Sequence, residues 1–362
     1  TTDQLARLVD DSVGGLIVHN GALRPHPTEA LAGLLRPLRE RRPDLLVAAD
    51  EEGGAVSCLE AERGSSYPGN LALGVVDDPE LTRRLCASLA AELASAGINY
   101  VLAPVVDVDT NLANPVIATR SFGRDPALVA RHGAAAVAGF QEAGLAACAK
   151  HFPGHGATDV DSHLDLPTVE RSRAGLDEID LAPFRAAIQA GVASVMSSHV
   201  VYPAIGAEPA TTSRAILTDL LRGELGYDGV VVSDALEMGA ISGTVGVAEG
   251  AVAAMAAGSD LLCISEPYLD AVRTALLEAL DGGRLDGDRL DEASARVDRL
   301  RERAGHPTAG PADRALAAGL AGRALRIRGP VFLTGPPVVV ELVARLSTCV
   351  LRTRGSVLDQ LR

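Results

Sequence analysis

The densest group of side chains that could do chemistry lies in one short segment, AKHFPGHGATDVDSHLDLP, at residues 149–167. It contains three of the eight histidines, and it contains Lys150, the only lysine of the chain. A compact ammonium group can contact hydroxyl groups where the fork of an arginine would not fit. Either Lys150 meets a specific chemical need of this kind, or it is a chance survivor at a solvated strand end.

Asp161 and His163 are separated by one residue in the part of this segment that is rich in Pro, Gly and Asp, which predicts a loop rather than a helix. In a turn, the carboxylate at this spacing can accept a hydrogen bond from one imidazole nitrogen. The bond selects the tautomer and raises the basicity of the other nitrogen, as a proton-transfer dyad requires. The alternative is an Asx-type turn with His163 in solvent.

Metal binding by the same loop is the competing interpretation. A Pro and a Gly separate His151 from His155, so the two rings do not share a helical face as they would in a zinc-binding helix. We therefore expect no metal and no cofactor, with His155 as a structural anchor of the loop. The residues that a metal could otherwise recruit are His151, His155, Asp159, Asp161 and His163.

A second chemical centre is DGVVVSDALEM at residues 228–238. Asp234 follows a fully apolar run and is therefore poorly placed for a surface ion pair. Its side chain could be a nucleophile, a metal ligand or the N-cap of a helix that begins in ALEMGAI.

Seven short apolar runs must position these groups. Such continuous runs are typical of parallel strands that are buried on both faces, and amphipathic segments that often end in Gly separate them. The runs are 15–20, 44–50, 98–107, 145–152, 193–199, 228–235 and 259–265. The repeating order of strand and helix predicts a parallel sheet with right-handed crossovers.

Polar residues at the ends of these runs favour a barrel over an open sheet, because barrel active sites collect residues from the carboxyl ends of several strands. They are Asp50, Asp107, Lys150, His151, His199 and Asp234. We predict an irregular (β/α)8 barrel at residues 1–305. Since only seven strands are found, either the first strand precedes Thr1 or the barrel is irregular. Residues 306–362 are predicted as a linker and a short β-rich tail, or a fragment of a second domain.

The composition excludes several classes of binding partner. A net charge of −14 without a basic stretch disfavours nucleic acid and anionic membranes. No apolar run is long enough to span a bilayer, and the first residues lack the features of a secretory signal. We expect a cytoplasmic protein, unless a signal has been removed. The chain has no Trp and only 3% aromatic residues, so a short polar pocket is expected rather than a platform for long glycans.

The segment KHFPGHGATDVDSH, together with VVVSDALEM, DEEGG (50–54) and NPVIATRSFGRDP (114–126), resembles glycoside hydrolase family 3. The resemblance is strongest to the bacterial β-N-acetylhexosaminidase branch and covers roughly residues 10–300. It implies an irregular (β/α)8 barrel whose first strand lies before the start of this chain. It also implies a small glycan substrate that ends in β-linked N-acetylglucosamine (GlcNAc).

The resemblance assigns roles to individual residues. Asp234 corresponds to the nucleophile of the family, His163 to its acid/base and Asp161 to the carboxylate that orients the histidine. A histidine with a pKa near 6.5 suits proton exchange at neutral pH and adds no second anion beside the nucleophile. The residues that correspond to those holding the hydroxyls of the terminal sugar are Asp50, Arg120, Lys150 and His151.

One segment departs from the family pattern. After DEEGG the branch usually carries two arginines, whereas this chain has Ala55 and Cys58 at those positions. We expect a wider and less cationic sugar pocket. Three functions stay open: a retaining β-N-acetylglucosaminidase, a GlcNAc phosphorylase that uses the same dyad, and a vestigial sugar-binding protein.

Overall fold

The fold is that of a computed structural model of the chain, which describes residues 13–18, 27–60, 64–305 and 307–324. Within them, every apolar run that we predicted as a strand forms one. The strands are β1 Gly15–Val18, β2 Leu46–Ala49, β3 Tyr100–Val101, β4 Ala146–Phe152, β5 Ser194–Ser197, β6 Val230–Ala235 and β7 Leu261–Cys263. Each strand pairs in parallel with the next one along the chain, so the order in the sheet is the order in the sequence.

The sheet curls round on itself. Alternate side chains of β2 to β7 pack together in one interior cluster, as expected for a sheet that curls around one of its faces. The two ends of the sheet also approach each other, since a Cβ atom built on Gly14 would lie 2.9 Å from Cδ1 of Leu261. No pairing joins β1 to β7 among the described residues. The architecture is an irregular (β/α)8-type barrel with seven described strands, as predicted.

Helices cover the outside of the sheet. They are α1 Pro27–Arg41, α2 Asn70–Val76, α3 Pro79–Ser95, α4 Pro126–Glu142, α5 (Arg173–Gly175, a π-helical turn Leu176–Asp180 and Leu181–Gln189), the π-helix α6 Ala215–Glu224, α7 Gly239–Ser242, α8 Val247–Ala257, α9 Leu269–Asp281, α10 Gly287–Ala304 and α11 Arg314–Ala324. Short 3-10 turns lie at Ala118–Arg120, Ala210–Thr212 and Glu266–Tyr268. The side chains of the strands that point outward pack against these helices in the largest apolar cluster.

Local signals explain where the long helices begin and end. At the start of α3, the Asp78 carboxylate accepts a hydrogen bond from the Leu81 amide, and a proline occupies the first helical position. Gly97 follows the end of α3 with φ +90°, and Gly144 follows the end of α4 with φ +83°. Only glycine adopts this left-handed backbone without strain, so the predicted glycine stops are confirmed.

The helix α10 closes one end of the barrel. Its residues Val297, Leu300 and Ala304 belong to the interior cluster, together with side chains from six strands. The end that remains is the one at which the strands finish, and the predicted functional residues lie there.

The described residues after 305 pack on the barrel. Ala317 and Leu320 of α11 are buried in the main core, and Arg314 pairs with Glu60 and Glu92. The β-rich tail that we predicted lies outside the described residues, so the division of the chain near residue 305 stays a prediction.

Candidate active site

One cavity of about 1090 Å³ opens at the carboxyl ends of the strands. Six of the seven predicted site residues line it, namely Asp50, Arg120, Lys150, His151, His163 and Asp234. The seventh, Asp161, does not line the cavity but binds His163. Residues that are up to 184 positions apart in the chain therefore meet in one place, because every parallel strand ends at the same face of the barrel.

The ammonium group of Lys150 is buried between two carboxylates. Nζ lies 2.7 Å from Oδ1 of Asp50 and 2.7 Å from Oε1 of Glu52. Burial alone would lower the pKa of Lys150, but the two carboxylates outweigh it and raise the pKa above its usual value. Lys150 is therefore a buried cation with specific partners, and it is not a residue of a solvated strand end.

Glu52 joins Lys150 to Arg120. The guanidinium donates two parallel hydrogen bonds of 2.8 Å to the Glu52 carboxylate, from Nε and Nη2. Burial would raise the pKa of Glu52, but the two cations hold it well below its usual value. Sequence reasoning did not single out Glu52, although it lies in the quoted DEEGG segment. Its two partners are distant in the chain, so the segment alone did not reveal this role.

Asp107 orients His151. Oδ2 of the fully buried carboxylate lies 2.8 Å from Nδ1 of the ring, and the amides of His151 and His155 donate to the same carboxylate. Nδ1 therefore carries the proton, since a carboxylate only accepts. Nε2 of His151 then accepts from Nη2 of Arg120 at 3.4 Å. The sequence placed Asp107 at a strand end without a role, and the structure makes it the support of His151.

The predicted pair in the loop forms a direct contact. Oδ1 of Asp161 lies 2.7 Å from Nδ1 of His163 and also accepts the His163 backbone amide at 2.9 Å. The Nδ1 proton is thus held by the carboxylate, and Nε2 is the nitrogen that can exchange a proton. His163 lines the cavity and is not a solvent-facing residue of an isolated turn.

The loop that carries this pair is anchored on both sides. The buried ring of His155 contacts the hydroxyls of Thr158 and Ser162 at 2.9 and 3.0 Å, as expected for a structural anchor. At the other side, the amide of Gly239 donates to the His163 carbonyl and the amide of Ala240 donates to the Ser162 carbonyl. The beginning of α7 therefore holds the backbone of His163.

Asp234 lies at the end of β6, and Oδ1 accepts the amide of Ala235 at 2.8 Å. It is not the N-cap of a helix, because α7 begins only at Gly239. Burial would raise the pKa of Asp234, but the nearby ring of His151 and the hydrogen bond from the Ala235 amide outweigh it and hold the pKa below its usual value. The carboxylate is therefore ionised at neutral pH, as a nucleophile has to be.

Neither Ala55 nor Cys58 lines the cavity in the described part of the chain, whereas Val56 between them does. The Cys58 amide donates to Oε2 of Glu51 at 2.9 Å. Burial and the nearby carboxylates of Glu51 and Asp50 raise the pKa of the Cys58 thiol. The wider sugar pocket that we expect from these two positions stays a prediction.

Two further observations concern metals and membranes. Across residues 13–18, 27–60, 64–305 and 307–324, no group of three or more His, Cys, Asp and Glu side chains has the arrangement to hold a metal ion. None of the described helices is both long and apolar enough to cross a bilayer.

Known proteins resemble this chain in sequence and in fold. The family model described as "Glycosyl hydrolase family 3 N terminal domain" matches residues 2–300. The chain is 37% identical over 323 residues to a "Beta-hexosaminidase" of Thiobacillus denitrificans, which covers 87% of this chain and 86% of that protein. It is 34% identical over 322 residues to "Beta-hexosaminidase A" of Pseudoalteromonas piscicida. This alignment covers 80% of this chain but only 53%, about half, of the length of that relative.

Among solved structures, a glycoside hydrolase family 3 β-N-acetylglucosaminidase from Paenibacillus sp. str. FPU-7 superposes with a TM-score of 0.84 at 41% identity. The match covers 91% of this chain and 67% of that one. A family 3 member from Mycobacterium smegmatis matches with a TM-score of 0.76 at 32% identity, over 83% of this chain and 92% of that one. The predicted resemblance is confirmed: this chain belongs to glycosyl hydrolase family 3.

Proposed function

We propose that the chain is a retaining exo-β-N-acetylglucosaminidase that releases terminal β-linked GlcNAc from short glycans, such as muropeptides or chitooligosaccharides. The observation that carries the proposal is the pairing of His163 with Asp161 on the cavity that also contains Asp234. A proton donor and an ionised carboxylate on one cavity are the two groups that retaining glycoside hydrolysis needs. The names of the relatives, β-hexosaminidase and β-N-acetylglucosaminidase, support GlcNAc as the sugar that is released.

In the first step, a carboxylate oxygen of Asp234 attacks the anomeric carbon of the terminal sugar. The bond from that carbon to the leaving oxygen breaks, and Nε2 of protonated His163 gives its proton to this oxygen. The alcohol departs, and the sugar stays as an ester on Asp234. Asp161 stabilises the imidazolium before the transfer through its bond to Nδ1.

In the second step, water attacks the anomeric carbon of the ester. Neutral His163 accepts a proton from the water at Nε2, and the ester bond to Asp234 breaks. Two inversions give a β-configured sugar, and both residues return to their starting protonation states.

The charged network around Lys150 binds the hydroxyls of the terminal sugar. Asp50 is one-third exposed in its side chain, at 31%, while Lys150 is buried beside it, so a sugar hydroxyl at this edge can accept from the ammonium and donate to the carboxylate. Glu52 pairs with the buried cations Arg120 and Lys150 and neutralises part of their charge. A sugar at the end of a glycan fits such a polar pocket better than an internal sugar, which would have to continue past it.

The charges around the cavity favour water over phosphate as the acceptor. Glu237, Asp260 and Glu266 line it in addition to Asp50, Glu52 and Asp234. Against these six carboxylates the described part of the lining contains three cations, Arg120, Lys150 and Arg273. Glu52 already pairs with the first two of these cations, and Asp260 pairs with arginines that do not line the cavity. An incoming phosphate dianion would be repelled by this excess of negative charge.

A product assay tests the proposal. Aryl β-GlcNAc and aryl β-glucoside are incubated with the protein in phosphate-free buffer and with added phosphate, and the products are followed by proton NMR. We expect turnover of the GlcNAc substrate, with free β-GlcNAc as the first product in both buffers. GlcNAc 1-phosphate as the main product would establish the phosphorylase instead.

The variant Asp234→Asn is the matched control, because it keeps the shape of the side chain and removes the nucleophile. It should bind a GlcNAc-type inhibitor but lose turnover. If the parent binds the inhibitor and turns over neither substrate, the chain is a sugar-binding relative and the proposed activity is wrong.

A further inference from the structure

His199 is a fully buried histidine at the end of β5, next to the strand that carries Asp234. Its ring makes two hydrogen bonds. Nε2 lies 2.9 Å from the backbone carbonyl of Ala235, and Nδ1 lies 2.9 Å from the hydroxyl of Thr211. The proposed reaction assigns no task to this residue, and its side chain does not line the described cavity.

The Ala235 carbonyl determines where the proton of the ring lies. This carbonyl can only accept a hydrogen bond, so Nε2 carries the hydrogen and donates it. Burial lowers the pKa of His199 and favours the neutral ring, in which Nδ1 has a lone pair. The Thr211 hydroxyl lies beside Nδ1, but its single proton has a second acceptor in the Ser198 carbonyl at 3.0 Å. The bond to Ala235, and not the contact with Thr211, therefore fixes the tautomer.

Ala235 connects His199 to the nucleophile. Its carbonyl accepts from His199 and also from the Met238 amide at 3.1 Å, and its own amide donates to Oδ1 of Asp234 at 2.8 Å. The backbone of Ala235 is therefore held at one side by the imidazole, and its amide holds the carboxylate. If Ala235 shifts, the hydrogen bond that orients Asp234 shifts with it.

We infer that His199 is a positioning residue for the nucleophile, which keeps the Asp234 carboxylate in its attacking orientation through the backbone of Ala235. The inference rests on the proposed function, since it assumes that Asp234 attacks the sugar. It adds a residue that touches neither substrate nor the reacting atoms, and it predicts an effect on kcat rather than on the binding of the sugar.

Two substitutions separate the bond to Ala235 from the bond to Thr211. The amide of glutamine can reach the place of Nε2, whereas the shorter amide of asparagine ends near the place of Nδ1. His199→Asn should lower kcat by about tenfold with little change in KM, since one hydrogen bond of ordinary strength is lost. His199→Gln should return kcat to within about threefold of the parent by the same reasoning.

His132→Asn is the matched control for the loss of a buried imidazole. His132 is also fully buried and also contacts a threonine hydroxyl, that of Thr82, at 2.8 Å, but its Nε2 contacts Asp77 instead of the backbone beside Asp234. The variant should lose stability like His199→Asn and keep the parental kcat. All rates are expressed per active site, counted by titration with a slow glycosyl fluoride that traps the ester on the nucleophile.

Parental kcat per active site in His199→Asn would overturn the inference, and so would equal losses in the asparagine and glutamine variants. A parent without any turnover would instead remove the proposed function. In that case crystal structures of the two His199 variants decide. The inference requires that the turn at Asp234 and Ala235 moves in the asparagine variant and stays in place in the glutamine variant, and an unmoved turn in both contradicts it.

Discussion

His163 can act as acid and base through one nitrogen, because its Nδ1 is bound to Asp161. His163→Ala should slow natural GlcNAc substrates by about 10²–10⁴-fold, whereas activated aryl glycosides, whose phenolate leaves unaided, should lose much less in the first step. The second step still lacks a base, so the ester on Asp234 accumulates. Rates for good and poor leaving groups, with and without azide, measure this.

Azide attacks without giving up a proton, and it should restore the rate and yield a β-glycosyl azide. Asp161→Asn serves as the graded comparison, since it leaves the ring in place and should give a milder loss. Equal losses for both classes of leaving group, without any effect of azide, would take His163 out of the proton transfer.

Glu51 makes the stability of the protein depend on pH. Burial raises its pKa from 4.5 to about 7, against the opposing hydrogen bonds from Leu59, Ser57 and Cys58. The neutral form is thus favoured on folding. This contribution to stability is complete below pH 4.5 and is lost as the pH rises through 7. Glu51→Gln stays neutral and should become the more stable form above pH 7, by up to about 3 kcal/mol.

Urea unfolding of parent and variant at pH 5 and pH 8 measures the effect, because the difference between the two proteins should grow with pH. Glu278→Gln is the control, because it removes one negative charge at an exposed position and so measures the effect of net charge alone. A difference between Glu51→Gln and the parent that is the same at both pH values would show that Glu51 is ionised in the fold already at pH 5.

At the scale of elements, the loop that carries His163 depends on a close backbone contact at Gly156. A Cβ atom at this position would lie 1.9 Å from the carbonyl oxygen of Val108. Gly156→Ala should therefore push the loop away from the segment after β3 and displace His163. A displacement of about 1 Å at a catalytic group can lower kcat by about 10²-fold.

Kinetics of the folded fraction measure this effect, with Gly33→Ala as the control. Gly33 lies in α1, and a Cβ atom there would meet no atom within 4 Å. That variant should keep full activity and gain up to about 1 kcal/mol in stability from helix propensity. Parental kcat in Gly156→Ala would mean that the loop adjusts without moving His163.

At the scale of the whole molecule, one buried carboxylate ties α10 to the end of the barrel opposite the site. Asp260 precedes β7 and pairs with Arg222 and Arg289, at 2.6 Å each, and with Arg296 at 3.5 Å. Removing one member of a buried ion cluster leaves the others without compensation. Asp260→Asn should therefore lower the free energy of unfolding by about 3–5 kcal/mol and leave kcat unchanged.

Asp228 offers a matched comparison in the same cluster. It pairs with Arg296 at 3.3 Å and Arg299 at 3.2 Å, but its side chain is 78% exposed. Asp228→Asn should cost no more than about 1 kcal/mol, because water screens the pair. Denaturant unfolding and kcat of both variants test the prediction, and equal losses of stability would contradict the role of burial.

The sequence alone determined those features that depend on near neighbours and on burial of both faces of a sheet. Each of the seven continuous apolar runs forms a strand. Strands that are covered on both faces consist of consecutive apolar residues, so they stand out in the sequence. The glycines at 97 and 144 ended their helices because glycine adopts that left-handed backbone without strain. Asp161 and His163 pair across two positions, so their contact is local.

Only the tertiary structure decided the contacts between residues that are remote in the chain. Glu52 meets Arg120 across 68 positions, His151 meets Asp107 across 44 and His199 meets Ala235 across 36. Each partner comes from a different strand or loop, and their distance depends on the order and curl of the whole sheet. The sequence predicted that polar residues end these strands, but which of them share a proton or a charge follows from the way the curled sheet brings the strand ends together.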